Sequence, residues 1–527
     1  MRTDGEDERA DRSAGGGSSL PDAPSGGGAD RPLDLLITGG RVVTPDGPAD
    51  LAVGVRDGRI AYLGPGTRAA ATGTAGTGEL RGRTGPAGVA GSLPATREHV
   101  RADGLVVLPG LVDPHVHLGL PMGDQTTADD PDTGTAAALA GGVTTVADFT
   151  LHRPGRTLAG DFKARRVEFD GRARCDFTFH ANVTEYGADF AGRIDDELAA
   201  LRQVGGRSLK VFTCYEEIGY AVSPGNLRVL LTAARRHGLV VLVHAEDGAL
   251  VAEATTRLVA DGRTSPRDYP ASRPAGAEAK AVRDVIDAAR DTGAPVYFVH
   301  VSTAAAVAAI REARALGDTP LIRLETCPQY LLLEESLYEG ANGAQYLVAP
   351  PLRTEDDRRA LREALRDGTV DVVATDHCCF RRGQKDRPGT PFTRLPRGLP
   401  GVETRLALVH ALLARSDGRD GARSDAPADL DDASWRLLVE VLAAAPARIL
   451  GLADRKGSIR IGADADLVLF APGAGGRLDA AGLRTATDFS PYAHLAAGGQ
   501  VTGVYLRGLR LERPFGAEPH PAGTLLA

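Results

Sequence analysis

The chain has 527 residues, 43% of them hydrophobic and 25% charged, with a net charge of −8. That balance suits a soluble globular protein, and the mixed signs along the chain exclude a basic nucleic-acid footprint. There is no run of eighteen apolar residues to span a membrane, and the length exceeds one ordinary compact domain unless that domain is a barrel with additions.

Residues 1–31, opening MRTDGEDERADRSAGGGSS, carry almost no large apolar group and are expected to form a disordered tail. This start lacks the basic stretch and apolar core of a secretory signal. Five scattered cysteines (Cys175, Cys214, Cys327, Cys378 and Cys379) show no CxxC spacing. Both features predict a reduced, cytoplasmic protein without a disulfide framework or a cysteine-type zinc site. From Leu33, the segment DLLITGGRVVTPDGPADLAVGVRDGRIAYLG alternates short apolar runs with GG, DG and PDG turns, which predicts a small antiparallel sheet. Residues 32–110 are read as the first part of a β-sandwich domain, with a Gly/Ala-rich insertion over 66–98.

Over residues 111–447, apolar β-rich runs alternate with amphipathic Ala/Arg/Glu-rich stretches. The runs are TTVADFT, CDFTFHANV, SLKVFTCY, VVLVHAED, PVYFVHVS, LIRLETCP and VDVVATDH. Continuous apolar strands separated by helices predict a parallel sheet covered on its outside. This many repeats fits an α/β chain with a (β/α)8 barrel of the TIM type. Residues 416–432 read as an acidic, Arg-rich loop. Beyond Ala447 short strands return in GSIRIGADADLVLF and VTGVYLRGLRL, so 448–527 are assigned to the second part of the sandwich and a C-terminal tail.

The informative polar residues follow the apolar runs, where a barrel keeps its catalytic rim. His115 and His117, in DPHVHL, lie two apart on an extended segment and point to one side. They are either hydrogen-bonded rim histidines or a metal chelate. Lys210, in SLKVFTCY, is flanked by apolar residues and expected to be buried, which lowers the pKa of an ammonium. It either pairs with a rim carboxylate or, as the neutral amine, takes up carbon dioxide to form a carbamate that can bridge two metals. Only five lysines occur (Lys163, Lys210, Lys280, Lys385 and Lys456) in a chain otherwise served by arginine. Arginine cannot be deprotonated and lysine can, so each lysine is informative. His244 in VVLVHAED, His300 in PVYFVHVS and Asp376 in VDVVATDH are each unremarkable singly, as structural histidines or a helix cap. Together, four His, one Lys and one Asp at successive strand ends form a nitrogen and oxygen donor set suited to zinc or manganese. Two such ions would sit roughly 3.5–4 Å apart.

These residues resemble the cyclic amidohydrolases of the dihydropyrimidinase and hydantoinase family. The resemblance runs from about Leu33 to about Gly508, outside the insertion. It rests on DPHVHL, TADD at 127–130, GTAAALAGGVTTVADF, KVFTCY, VHAEDG, SRP at 272–274, ETCPQYLLL, PPLR at 350–353, TDHC, FTRLPRGLPGVETRL and GADADLVLF. It implies two divalent metal ions per chain, zinc or manganese, bridged by N6-carboxylated Lys210. His115, His117 and Asp376 would hold one ion, and His244 and His300 the other. Asp376 would also act as general base, and Tyr215 would donate a hydrogen bond to the developing oxyanion. The implied reaction opens a dihydropyrimidine or 5-substituted hydantoin ring to an N-carbamoyl amino acid. An allantoinase-like enzyme or a non-catalytic scaffold are the alternatives, and retention of all six ligand positions argues against the scaffold. The family also implies a homotetramer or dimer, with a small cyclic amide as the only other partner.

Departures from the family pattern concern the substrate. Gly119 stands where dihydroorotases carry the arginine that holds a substrate carboxylate. Ala349 stands where hydantoinases often have serine, and Arg397 where they have asparagine. Both positions are implied to contact the ring through their backbone. Met122 replaces a bulky aromatic of the substrate-gating loop. Arg397 brings a cation near the mouth and favours an anionic substituent.

Overall fold

A computed structural model describes residues 31–66, 93–151, 155–317, 322–414, 429–511 and 523–527. The expected tail, apart from Arg31, lies outside the described residues. So do 67–92 of the expected insertion and 416–428 of the acidic loop.

Eight parallel strands form the centre: Leu111–Asp113, Val143–Phe149, Asp176–Asn182, Ser208–Phe212, Val240–His244, Val296–Phe298, Ile322–Thr326 and Val372–Val373. They hydrogen-bond in chain order. The sheet closes just beyond its two outer strands, where Val116 bridges His377. There the His117 amide donates to the His377 carbonyl at 2.8 Å, and the His377 amide to the His115 carbonyl at 3.3 Å.

Helices cover the outside because their apolar faces match the outward side chains of the strands. Pro224–Arg236 is representative. Pro224 occupies its first turn, where no amide is needed, and the Ser223 hydroxyl accepts from the Asn226 amide at 3.2 Å. Leu227, Leu230 and Leu231 are buried against the barrel, each contributing about 1.5–3 kcal/mol. Gly238, at φ 64°, then turns the chain into the next strand.

The second sheet joins the two ends of the sequence. Leu467–Ala471 pairs antiparallel with both Val106–Pro109 and Gln500–Leu506. Its core includes Ile37, Val53, Val107, Leu467 and Tyr505. Strand Thr96–Arg101 pairs in parallel with Leu33–Thr38, so strand structure resumes inside the stretch read as insertion. Its sequence TREHVR is largely solvent-facing, and an edge strand with little to bury leaves no apolar alternation to read. The final residues return to the barrel: Leu525 bridges Phe177, and Leu526 packs with Val112 and Ala147. All five cysteines are free and buried. Among the described residues, no helix is long and apolar enough to cross a membrane.

Candidate active site at the barrel mouth

Five of the six residues singled out as ligands lie at or just beyond strand ends, and Lys210 lies inside strand Ser208–Phe212 rather than at its end. The Nε2 atoms of His115 and His117 lie 3.2 and 3.1 Å from Asp376 Oδ1. His244 Nδ1 lies 3.0 Å from His300 Nε2. The two groups adjoin, with the rings of His115 and His300 5.5 Å apart. Lys210 is buried between aromatic faces, its Nζ 5.4 Å from the Phe149 ring centroid and 5.2 Å from that of Phe212. Among the described residues no carboxylate reaches ion-pairing distance of that nitrogen. Burial lowers its pKa to about 8, against the opposing pull of Asp376 and Glu325.

The backbone at the mouth departs from strand geometry to aim these groups. Five described residues other than glycine have positive φ, and three of them belong here: Tyr215 at 76°, His300 at 41° and Asp376 at 51°. Such conformations cost of order 1–3 kcal/mol each and persist where the surroundings impose them. They also end the strands earlier than the apolar runs suggest, at Phe298 and Val373 rather than at the functional residue.

A layer of buried carboxylates, not identified from the sequence, fixes the imidazoles. His115 Nδ1 donates to Glu325 Oε1 at 2.7 Å, and His244 Nε2 to Glu246 Oε2 at 2.7 Å. Each bond puts the ring proton on the outer nitrogen and leaves the inner lone pair facing the mouth. Glu325 also accepts from the Tyr297 hydroxyl and the His300 amide. Glu246 pairs with Arg273, whose Nη2 donates to the Tyr215 hydroxyl oxygen at 3.3 Å. That contact leaves the Tyr215 proton free to point into the mouth, and burial keeps the phenol protonated by raising its pKa. Burial would raise Asp376 too, but His115, His117 and Lys210 outweigh it and hold its carboxyl below the ordinary value. Burial pushes His115 well down against the opposing pull of Asp376, and burial with His244 and Lys210 pushes His300 well down.

Several motifs without chemistry of their own prove to be supports. In TADD, Asp130 caps helix Pro131–Ala140 and Asp129 binds His377 Nε2 at 3.1 Å, steadying the residue that closes the barrel. In PPLR, Arg353 donates to Ser302 Oγ and to the Arg273 carbonyl. Lys385, fully buried, donates from Nζ to the carbonyls of Leu347 at 2.8 Å and Gly398 at 2.5 Å. It thereby ties together the segments bearing Ala349 and Arg397, two of the positions expected to meet substrate. Met122 lies on a short hairpin of Pro121–Met122 with Gln125–Thr126, to which Gln384, the residue before Lys385, hydrogen-bonds.

Inward nitrogens, an ionised carboxylate and a buried amine make up a donor set for two hard or borderline cations, with no thiolate among them. The model of the Amidohydrolase family matches residues 106–511. The chain is 36% identical over 497 residues to a D-hydantoinase of Streptomyces coelicolor, covering 93% of this chain and 97% of that one. It is 33% identical over 481 residues to a D-hydantoinase of Rhizobium radiobacter, covering 90% and 94%. Among solved structures, the dihydropyrimidinase from Brevibacillus agri matches with a TM-score of 0.81 at 30% identity, over 93% of this chain and 98% of that one. Fold, donor set and relatives agree: the chain belongs to the amidohydrolase family, within its hydantoinase and dihydropyrimidinase group.

Proposed function

We propose that this chain is a metal-dependent hydrolase that opens a dihydropyrimidine or 5-substituted hydantoin ring to an N-carbamoyl amino acid. The observation that carries the reading is the inward convergence of His115, His117, Lys210, His244, His300 and Asp376, with two of the imidazoles locked from behind by Glu325 and Glu246. The relatives named D-hydantoinase and dihydropyrimidinase support the same chemistry.

The donor set fits two divalent ions, proposed as zinc with manganese the alternative. His115, His117 and Asp376 would hold one and His244 and His300 the other, with carboxylated Lys210 between them. Bound cations of this kind polarise a carbonyl and acidify water. A lysine that is buried, short of a carboxylate partner and near neutrality in pKa is suited to take up carbon dioxide. Asp376, ionised at neutral pH, takes the proton from the attacking water and returns it to the departing ring nitrogen. The Tyr215 hydroxyl donates to the oxygen that gains charge as the ring carbonyl is attacked. Backbone groups at Ala349 and Arg397 would orient the ring, and Met122 would border the substituent. The family reading also carries an expectation of self-association into a tetramer or dimer.

The test is turnover of dihydrouracil, hydantoin, allantoin and dihydroorotate by metal-loaded protein. Opening of the first two is expected, and failure to open any cyclic amide would sink the reading. Tyr215→Phe is expected to lower kcat by about 10²–10³-fold with the fold intact, as for loss of one oxyanion donor. An undiminished kcat would remove Tyr215 from the chemistry. Glu246→Gln is expected to weaken metal retention about 10–100-fold, measured by competition with a chelator, because His244 loses the partner that fixes its proton.

A further inference from the structure

We propose that Arg397 selects a substrate whose ring carries a carboxylate on its substituent, and that it binds that carboxylate at the mouth. The inference rests on the hydrolase reading above and adds a substrate class to it. Arg397 is held close to the reacting groups. Leu399, two residues on, bridges His377, the residue after Asp376, and the Cys378 amide donates to the Leu399 carbonyl at 3.0 Å. Gly398 is pinned by its own amide to the Leu347 carbonyl and by Lys385 Nζ. The backbone at this position is therefore fixed, and only the side chain is free to respond to a ligand.

The guanidinium lies over Tyr269, 5.7 Å from the ring centroid. Its charge is felt by the hydroxyls of both Tyr269 and Tyr215. Two other arginines share this region, and each has a buried glutamate. Arg273 is paired with Glu246, and Arg353 Nη2 lies 3.8 Å from Glu278 Oε2. Arg397 has no carboxylate partner among the described residues, and its Nε is buried without a hydrogen bond. The aromatic face of Tyr269 offsets only part of the cost of a half-buried cation. The geometry thus leaves the Nε donor and one positive charge of Arg397 unmet over the Tyr269 ring, and a single carboxylate matches both.

The probes are 5-(carboxymethyl)hydantoin and 5-(carbamoylmethyl)hydantoin, which share a shape and differ in charge. With metal-loaded wild-type protein, kcat/KM for the acid is expected to exceed that for the amide by about tenfold or more, chiefly through KM, as a charge-assisted contact implies. The preference should shrink as salt is raised. Arg397→Gln should reduce the acid-to-amide ratio by about tenfold or more, and Arg397→Lys should restore part of it. Calorimetric binding of both rings to the wild type supplies a readout that needs neither turnover nor a variant. Equal affinity for the two rings, or a ratio that survives Arg397→Gln, would overturn the proposal. Preferential binding of the acid with no opening of either ring would uphold Arg397 and sink the hydrolase reading. Opening of both without preference would do the reverse.

Discussion

Lys210→Ala is expected to lower turnover of a cyclic amide by at least about a thousandfold, which corresponds to roughly 4 kcal/mol of lost transition-state stabilisation. The size follows from what the side chain does in this setting. Its amine is buried, with its Nζ 5.4 Å from the Phe149 ring centroid and 5.2 Å from that of Phe212. As a carbamate it would supply the negative charge that two adjacent cations require, and alanine would remove it. Short carboxylic acids supplied in solution should restore part of the activity by occupying the space. A Lys210→Ala chain with full activity would refute the bridge. Partial rescue by acetate but not by an uncharged amide of the same size would identify charge, rather than filled volume, as the missing element.

Lys456→Met is expected to have the largest effect on stability, about 3–5 kcal/mol, because it strands buried charge. Lys456 Nζ lies 2.6 Å from Asp176, 2.7 Å from Asp466 and 3.0 Å from Asp464. All three carboxylates are buried. Asp176 begins a barrel strand, and Asp466 immediately precedes sandwich strand Leu467–Ala471, so the ammonium fastens one sheet to the other. Arg507 and Arg455 neutralise part of the cluster but cannot replace a point charge shared by three partners. The denaturant midpoint should fall accordingly, while kcat of the chain that remains folded should hold, since no group at the mouth is altered. An unchanged midpoint would contradict this account of the cluster. Lysine at this place is structural, at Lys280 it is an exposed helical partner of Asp284, and at Lys210 it is proposed to be chemical. Rarity of lysine in the sequence flagged all three without separating them.

The proposed ligand positions were legible because a barrel places its chemistry where an apolar run stops. His244 ends Val240–His244, and His115, His300 and Asp376 follow their strands by two or three residues. The supporting layer was hidden for a different reason. Glu325 lies inside strand Ile322–Thr326 and reads as an interruption of an apolar run. A fully buried acid in a central strand requires a partner, so the signal existed, but only tertiary structure reveals that the partner is His115, more than two hundred residues away in sequence. Glu246 offered a nearer clue, since it stands two residues after His244. Arg273, Glu278 and Arg353 depend on long-range pairing that no local pattern encodes. Strand Thr96–Arg101 escaped because an edge strand with exposed polar side chains has almost no hydrophobic signature.

Metal content of the purified protein is the most direct measurement of the central claim, that these side chains cage a pair of cations. Mass spectrometric elemental analysis should find about two divalent ions per chain, with activity falling in step as a chelator withdraws them and returning when zinc or manganese is restored. A chain that opens cyclic amides at full rate while carrying far less than one ion would contradict it.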